Sequence, residues 1–154
     1  MIIRDATYFD VPEILRLADV YVREEVEPTG HHSAIWDANM MAHNLMQSTD
    51  SPDDLVLLAV EDGQVIGYLW AATHCLAPWS FIRVASDYLF YVMPEHRGSR
   101  AAIRLVRAYT EWAGKVGCLE VRLSVASGIH HDRTEKFYEA AGFTRYASTF
   151  NSKL

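Results

Sequence analysis

The fold is decided by the segment Tyr91-Val92-Met93-Pro94-Glu95-His96-Arg97-Gly98-Ser99-Arg100-Ala101-Ala102. Its first residues are aromatic and β-branched, as in a strand, and Pro94 lacks the N–H group that would continue a strand ladder. After the segment, apolar residues recur at helical spacing, at Leu105, Val106, Tyr109, Trp112 and Ala113. The segment therefore predicts a strand that passes through a tight turn into a helix, which is typical of mixed α/β domains.

The turn in this segment is suited to binding an anion. The start of a helix exposes unpaired backbone N–H groups at the positive end of the helix dipole, and phosphate groups bind there. Gly98 allows close approach of the backbone, and Arg97 and Arg100 carry charges that match phosphate oxygens. The alternative is a solvated helix start with two surface arginines. The segment is neither a P-loop nor the three-glycine dinucleotide fingerprint.

Hydrophobic periodicity predicts the remaining elements. Asp62-Gly63, a dipeptide favoured in tight turns, joins two apolar runs into a hairpin. The predicted helices cover residues 11–22, 33–47, 102–113 and 132–142, and the predicted strands cover residues 2–3, 55–60, 65–71, 83–92, 119–125 and 143–150. The second helix carries Trp36, Met40 and Met41, which either line a pocket or fill the core. This order indicates an α/β fold with a hairpin meander followed by crossover helices.

Length, charge and cysteine usage narrow the class of protein. The 154 residues match one ordinary domain, so we expect residues 1–154 to form a single domain. The net charge of -6 argues against broad binding of nucleic acid or anionic membranes, which needs clustered Lys and Arg. No segment has the length of a membrane span and none resembles a signal core, so we expect a cytoplasmic protein. Cys75 and Cys118 are predicted to be buried free thiols.

The histidines do not form a recognisable metal-binding motif. His31-His32 and His130-His131 are adjacent pairs, whereas zinc-binding pairs on one helix face are spaced i, i+4. Neither Cys-x-x-Cys nor His-Glu-x-x-His occurs, and no Gly-x-Ser-x-Gly elbow supports a Ser-His-Asp triad. We therefore expect no metal site.

A family resemblance joins two parts of the chain. Residues 92–102, together with Phe137-Tyr138 on a helix closed by Gly142-Phe143, resemble the GNAT superfamily of Gcn5-related N-acetyltransferases. The predicted order of elements agrees with that fold over nearly the whole chain. The resemblance implies a mixed, mostly antiparallel central sheet of about six or seven strands, splayed at its middle and flanked by about four helices. It also implies an acetyl-CoA-dependent N-acetyltransferase.

The resemblance implies acetyl-CoA as cosubstrate, with its diphosphate on the backbone of the turn. In the family, the preceding strand bulges and splays from the next one, and the pantetheine arm lies in that opening. A backbone N–H there, that of Val92 or its neighbour, is expected to stabilise the oxyanion. Arg100 replaces the second glycine of the family turn, and its guanidinium is expected to assist the phosphates. The implied cofactor-binding residues are Phe90, Tyr91, Val92, Arg97, Gly98, Ser99, Arg100, Ala101, Ala102, Thr134 and Tyr138.

The resemblance implies Tyr138 and Asp87 as catalytic residues. Tyr138 lies where the family often places a tyrosine that protonates the departing CoA thiolate, and the alternative is a packed tyrosine bonded to a backbone carbonyl. Asp87 lies nearest to the position of the usual general base, which is needed because a protonated amine has no lone pair. Other candidate bases are Tyr88, His74, Glu25 and Glu27.

The leading hypothesis is direct transfer of an acetyl group to a primary amine of an unidentified small-molecule or protein acceptor in a ternary complex. We expect the first two helices, residues 31–41 and the loop at residues 75–80 with Trp79 to form the acceptor pocket. One alternative is a non-catalytic acyl-CoA-binding or sensing module. The other is a toxin-like aminoacyl-tRNA acetyltransferase, against which the acidic balance counts. We expect no nucleic-acid or membrane partner. The sequence does not decide whether the chain forms a homodimer, which is common in such folds.

Overall fold

The computed structural model describes residues 1–30, 35–125, 130–150 and 152, in which one mixed sheet is flanked by helices. The strands run in the order β1-β2-β3-β4-β5, with antiparallel pairing from β1 to β4 and a parallel β5. The strands are β1 (Ile2–Asp5), β2 (Asp54–Glu61), β3 (Gln64–Cys75), β4 (Arg83–Val92) and β5 (Glu120–Arg122), and the helices are α1 (Val11–Tyr21), α2 (Ala38–Asp50), α3 (Ala101–Lys115) and α4 (His131–Ala140). The mixed, mostly antiparallel α/β fold is thereby confirmed.

Helices cover both faces of the central strands. In β2, Val56 and Leu58 belong to the core under α1 and α2, whereas Leu57 and Ala59 belong to the core under α3. A strand buried on both faces carries a continuous apolar run instead of an alternating pattern. This two-sided burial explains the unbroken apolar sequence of β2.

The hairpin between β2 and β3 turns at the predicted dipeptide. Asp62 and Gly63 both have positive φ values, of 51° and 81°. Two consecutive positive φ values are characteristic of the tight turns that match the twist of paired strands. The turn therefore fixes the register of the two most buried strands.

Helix α2 begins later than predicted because Asp37 caps it. An oxygen of the Asp37 carboxylate accepts the backbone N–H groups of Asn39 at 2.9 Å and Met40 at 3.0 Å. Such a cap satisfies amides that have no partner inside the helix, so the helix starts at Ala38 rather than near residue 33. Met41 lies in the core under α1 and α2, while the side chain of Met40 is 59% exposed. Residues 31–34 lie outside the described part of the chain.

The predicted strand at residues 143–150 is wrong, and the described residues form five strands instead of six or seven. Helix α4 ends at Ala140, Gly142 then turns the chain away with a φ of 94°, and the next segment has no regular structure. Tyr146 and Phe150 are 76% and 92% exposed. Because these side chains bury little apolar surface, nothing offsets the entropy cost of ordering the segment as a strand. The predicted strand at residues 119–125 is likewise shortened to Glu120–Arg122.

No helix in the described ranges is long and apolar enough to cross a membrane.

Strands β3 and β4 approach each other closely where β4 ends. A Cβ atom at Gly67 would lie 2.7 Å from the backbone oxygen of Tyr91 and 3.1 Å from a methyl carbon of Val92. A contact of 2.7 Å is far shorter than van der Waals separation, so a larger residue must push the strands apart. Gly67 therefore holds the end of β4 in place, directly before the turn that precedes α3.

We predict that Gly67→Ala lowers the free energy of unfolding by about 1–3 kcal/mol, because the added methyl group overpacks the β3–β4 contact. The matched control is Gly114→Ala in α3, where no atom lies within 4 Å of the new Cβ. This control is expected to leave stability unchanged or to raise it by up to about 1 kcal/mol, since glycine is a poor helix former. Urea denaturation measures both, and equal stabilities of the two variants would contradict the close contact.

Candidate active site

The turn between β4 and α3 presents unpaired backbone N–H groups. A short turn at Pro94–His96 is closed by the amides of Arg97 and Ser99, which donate to Pro94 and His96 oxygens at 3.1 Å each. Among the residues that the structure describes, the amides of Gly98 and Arg100 find no acceptor. They lie at the positive end of a helix of 15 residues. The arrangement is suited to binding an anion.

The backbone conformation of the turn fits this use. Gly98 has a φ of 95°, and no atom lies within 4 Å of the position that a Cβ would take, so the backbone there is open to a ligand. Arg100 has a φ of -79° and a ψ of 0°, a conformation that any L-residue can adopt. The arginine in place of the family's second glycine therefore introduces no backbone strain. Unpaired amides, open space and a cationic side chain together form a donor set that suits a diphosphate.

The side chain of Arg97 is directed elsewhere. Its Nε donates to the backbone oxygen of Val92 at 2.9 Å, and its Nη2 forms an ion pair with Glu25. Its guanidinium carbon lies 5.5 Å from the ring centre of Tyr91. Arg97 therefore contributes its backbone to the turn. Its guanidinium group is instead paired with Glu25, on the side of the sheet that α1 covers.

Strand β4 parts from β5 shortly before the turn. The parallel pairing joins Val84 with Glu120 and continues only to Ser86 with Arg122 within the described residues. One residue later, the Asp87 carboxylate accepts the backbone N–H of Ser124 at 2.8 Å and its hydroxyl at 3.2 Å. A side chain thus takes the place of the next backbone partner. The splayed sheet predicted from the family resemblance is confirmed.

A bulge accompanies the separation of the strands. Trp70 of β3 is opposite Leu89 and Ala71 is opposite Asp87, so Tyr88 is an extra residue on β4. A bulge increases the local twist and redirects the strand, which helps β4 diverge from β5. Residues 89–92 consequently have β3 on one side and no strand on the other within the described chain.

The two predicted catalytic residues meet at one residue, Ser124. Tyr138 donates its hydroxyl to the backbone oxygen of Ser124 at 3.1 Å, while Asp87 accepts the Ser124 N–H. Burial raises the pKa of Asp87 to about 6, although its hydrogen bonds from Ser124 act in the opposite direction. Burial and then the nearby Asp87 charge raise the pKa of Tyr138 well above the usual phenol range. Tyr138 therefore keeps its proton, and Asp87 titrates close to neutral pH.

The remaining predicted residues lie around this opening or at its rim. The rings of Phe90 and Phe137 are 6.4 Å apart, which brings α4 against the unpaired side of β4. Thr134 lies in the first turn of α4, where its amide donates to His130. Ser99 accepts the amide of Ala101 at 3.1 Å and so helps to start α3, and Ala102 follows in its first turn, partly buried against the core.

Two of the other candidate bases, His74 and Tyr88, lie on β3 and β4, and the expected acceptor loop lies between these two strands. His74 contacts the Ser86 hydroxyl through Nε2 at 2.8 Å, and the Tyr88 ring lies against Trp70 at 5.3 Å. Trp79 is 87% exposed at the far end of the β3–β4 hairpin. Residues 31–34, which are part of the expected acceptor pocket, and residues 126–129 lie outside the described chain. Within the described part, no group of three or more His, Cys, Asp or Glu side chains could hold a metal ion.

Sequence reasoning missed two contributors to the site. Ser124 binds both Asp87 and Tyr138, mainly through its backbone, which has no residue-type signal. Glu25 was considered only as a base, and nothing in its surrounding sequence identifies Arg97 as its partner. Both contacts join residues that are distant in the chain, so only the folded structure reveals them.

Comparison with known structures gives the same fold in proteins of different activity. An aminoglycoside 6'-N-acetyltransferase from Acinetobacter haemolyticus superposes with a TM-score of 0.73 at 22% identity, covering 100% of this chain and 99% of that one. A ribosomal-protein-alanine N-acetyltransferase from Brucella melitensis gives 0.73 at 18% identity, with 100% of both chains covered. A transcriptional regulator from Bacillus halodurans gives 0.78 at 15% identity, with 99% of both chains covered. At these identities the likeness shows the fold alone.

Sequence comparison is more specific about the family. No curated protein sequence matches the chain. The sequence profile of the Acetyltransferase (GNAT) family matches residues 12–143, which include all of α1 but its first residue, the strand opening, the amide turn and α4. The chain therefore belongs to the GNAT family of acetyltransferases.

Proposed function

We propose that the chain transfers an acetyl group from acetyl-CoA to a primary amine of a small-molecule or protein acceptor in a ternary complex. The observation that carries this proposal is the separation of β4 from β5 after Ser86, next to a turn with unpaired amides. A nucleotide thioester needs both features, because its diphosphate requires N–H donors and its pantetheine arm requires exposed strand backbone.

Different residues of the chain bind different parts of acetyl-CoA. The backbone of residues 98–102 and the side chain of Arg100 bind the diphosphate of acetyl-CoA, which supplies an activated thioester. The pantetheine arm lies along the open side of β4 and binds the backbone of Phe90, Tyr91 and Val92. The amide of Val92 or its neighbour then stabilises the negative charge that develops on the carbonyl oxygen.

The transfer requires three proton movements, two from the acceptor nitrogen and one to the departing sulfur. The acceptor ammonium first loses a proton, directly or through water, to Asp87, and its nitrogen then attacks the thioester carbonyl carbon. As the C–N bond forms, the C–S bond breaks and the electron pair leaves with sulfur. Tyr138 donates its proton to that sulfur, and the nitrogen loses its second proton, which restores the Tyr138 hydroxyl directly or through water, so the products are a neutral amide and the CoA thiol.

The pKa values of the two groups support these roles. A carboxylate with a pKa of about 6 is ionised at neutral pH yet still accepts a proton readily. The strongly raised pKa of Tyr138 keeps its hydroxyl protonated until a basic thiolate forms nearby. Desolvation by the surrounding protein thus prepares an acid and a base at one edge of the opening.

A second candidate function is a non-catalytic acyl-CoA-binding module. In the structure, both Asp87 and Tyr138 are hydrogen bonded to Ser124, which is the arrangement of groups with a purely structural role. A sensing module would bind acetyl-CoA through the same turn and opening but would release no CoA in the presence of amines.

We predict that Tyr138→Phe lowers kcat for CoA release by about 100-fold, the range typical for loss of a general acid, and leaves the acetyl-CoA Kd unchanged. The assay measures thiol release with a panel of amines, polyamines, aminoglycosides and peptides. Tyr146→Phe, at a 76% exposed ring, is the matched control and is expected to retain wild-type turnover. Tight acetyl-CoA binding without turnover of any acceptor would favour the sensing module.

We predict that Asp87 makes stability depend on pH in an unusual direction. Because its pKa is raised from 3.8 to about 6 on folding, the folded state binds the proton more tightly than the unfolded state does. The stability of the wild type relative to Asp87→Asn is therefore expected to fall as pH rises from about 4 to about 6 and to level off above that. Urea denaturation across this range measures the difference, and a pH-independent difference would refute the assignment.

A further inference from the structure

An ion pair connects the amide turn with the end of the first helix. Nη2 of Arg97 binds the carboxylate of Glu25, 72 residues earlier in the sequence. The side chains of Arg97 and Glu25 are only 25% and 16% exposed. Partly buried pairs of this kind are costly to break, because one charge would be left without a partner. The contact therefore couples two elements that the backbone does not join directly.

Local structure places Glu25 toward the sheet. The chain continues from α1 into a π turn at Val22–Val26, in which Val22 and Val26 are buried. The wider turn brings the intervening Glu25 side chain partly inside while Glu24 remains exposed. Such π turns occur in only a few places in proteins, often at functional sites.

Arg97 is held from three directions. Besides Glu25, it bonds the Val92 oxygen at 2.9 Å and lies over the ring of Tyr91 at 5.5 Å. The guanidinium group is planar and rigid, so these contacts fix the orientation of the residue as well as its position. Gly98, which follows Arg97 directly, has freedom in φ and little of its own to hold it in one conformation.

We propose that Glu25 is a positioning residue for acetyl-CoA: through Arg97, it fixes the amides of Gly98 and Arg100 in the orientation that binds the diphosphate. The inference rests on the proposed function, and it assigns Glu25 a role other than that of a base. Glu25 itself touches neither the diphosphate nor the reacting atoms.

The sign of the expected effect separates this role from simple electrostatics. Acetyl-CoA is an anion, so removal of a nearby carboxylate favours its binding through space. Loss of a positioning contact has the opposite effect. Glu24 provides the matched comparison, because it carries the same charge one residue away, is exposed, and makes no ion pair with Arg97.

The test measures the affinities of acetyl-CoA and of S-acetylpantetheine, which lacks the diphosphate, by calorimetry or competition. Glu25→Gln is expected to weaken acetyl-CoA about tenfold, as for loss of a charged hydrogen bond, and to leave S-acetylpantetheine unchanged. Glu24→Gln is expected to leave acetyl-CoA binding unchanged or slightly tighter. If Glu25 contributed only to the stability of the protein, Glu25→Gln would not change the difference in affinity between acetyl-CoA and S-acetylpantetheine.

Arg97→Lys is a second variant, because it keeps the charge but loses the planar group that bonds Glu25 and Val92 together. The same selective loss is expected, and Glu25→Gln should add nothing to it. The inference is overturned if Glu25→Gln and Glu24→Gln behave alike, if Glu25→Gln tightens acetyl-CoA binding, or if both ligands weaken equally. Failure of the wild type to bind acetyl-CoA would instead overturn the proposed function itself, and this inference with it.

Discussion

The hydrogen bonds between the Asp87 carboxylate and Ser124 are the interaction on which the site depends. The parallel ladder of β4 and β5 ends at the pair of Ser86 and Arg122 within the described residues. Here a side chain satisfies the Ser124 amide, so β4 and β5 can separate without leaving that donor unpaired. The carboxylate of Asp87, the last residue before the bulge at Tyr88, thus lies where the two strands part.

The same contact links architecture to chemistry. Burial raises the pKa of Asp87, and the backbone oxygen of Ser124 accepts the hydroxyl of Tyr138, so the groups proposed as base and acid both bind Ser124. On the other side of the opening, Gly67 fixes the end of β4 and Arg97 fixes the following turn. Contacts outside the turn therefore stabilise both the separation of the strands and the exposed position of the amides.

Local signals predicted the elements well, and long-range contacts account for what they missed. The Asp62-Gly63 turn and the amphipathic pattern of α3 depend on neighbouring residues, so both are found as predicted. The direction of the Arg97 side chain depends on Glu25, which is distant in sequence, and the charge pattern of the turn alone could not reveal it. The predicted final strand is wrong for a similar reason, because the aromatic residues of 143–150 do not reveal whether a surface is available to bury them.

The central claim is that acetyl-CoA occupies the open side of β4 and the adjoining amide turn. Amide hydrogen exchange followed by NMR, with and without acetyl-CoA, tests it residue by residue. Slower exchange at the amides of residues 89–92 that face the opening, and at residues 98–102, is the predicted result, with β1 and β2 unaffected. Unchanged exchange in both segments at saturating acetyl-CoA would contradict the account.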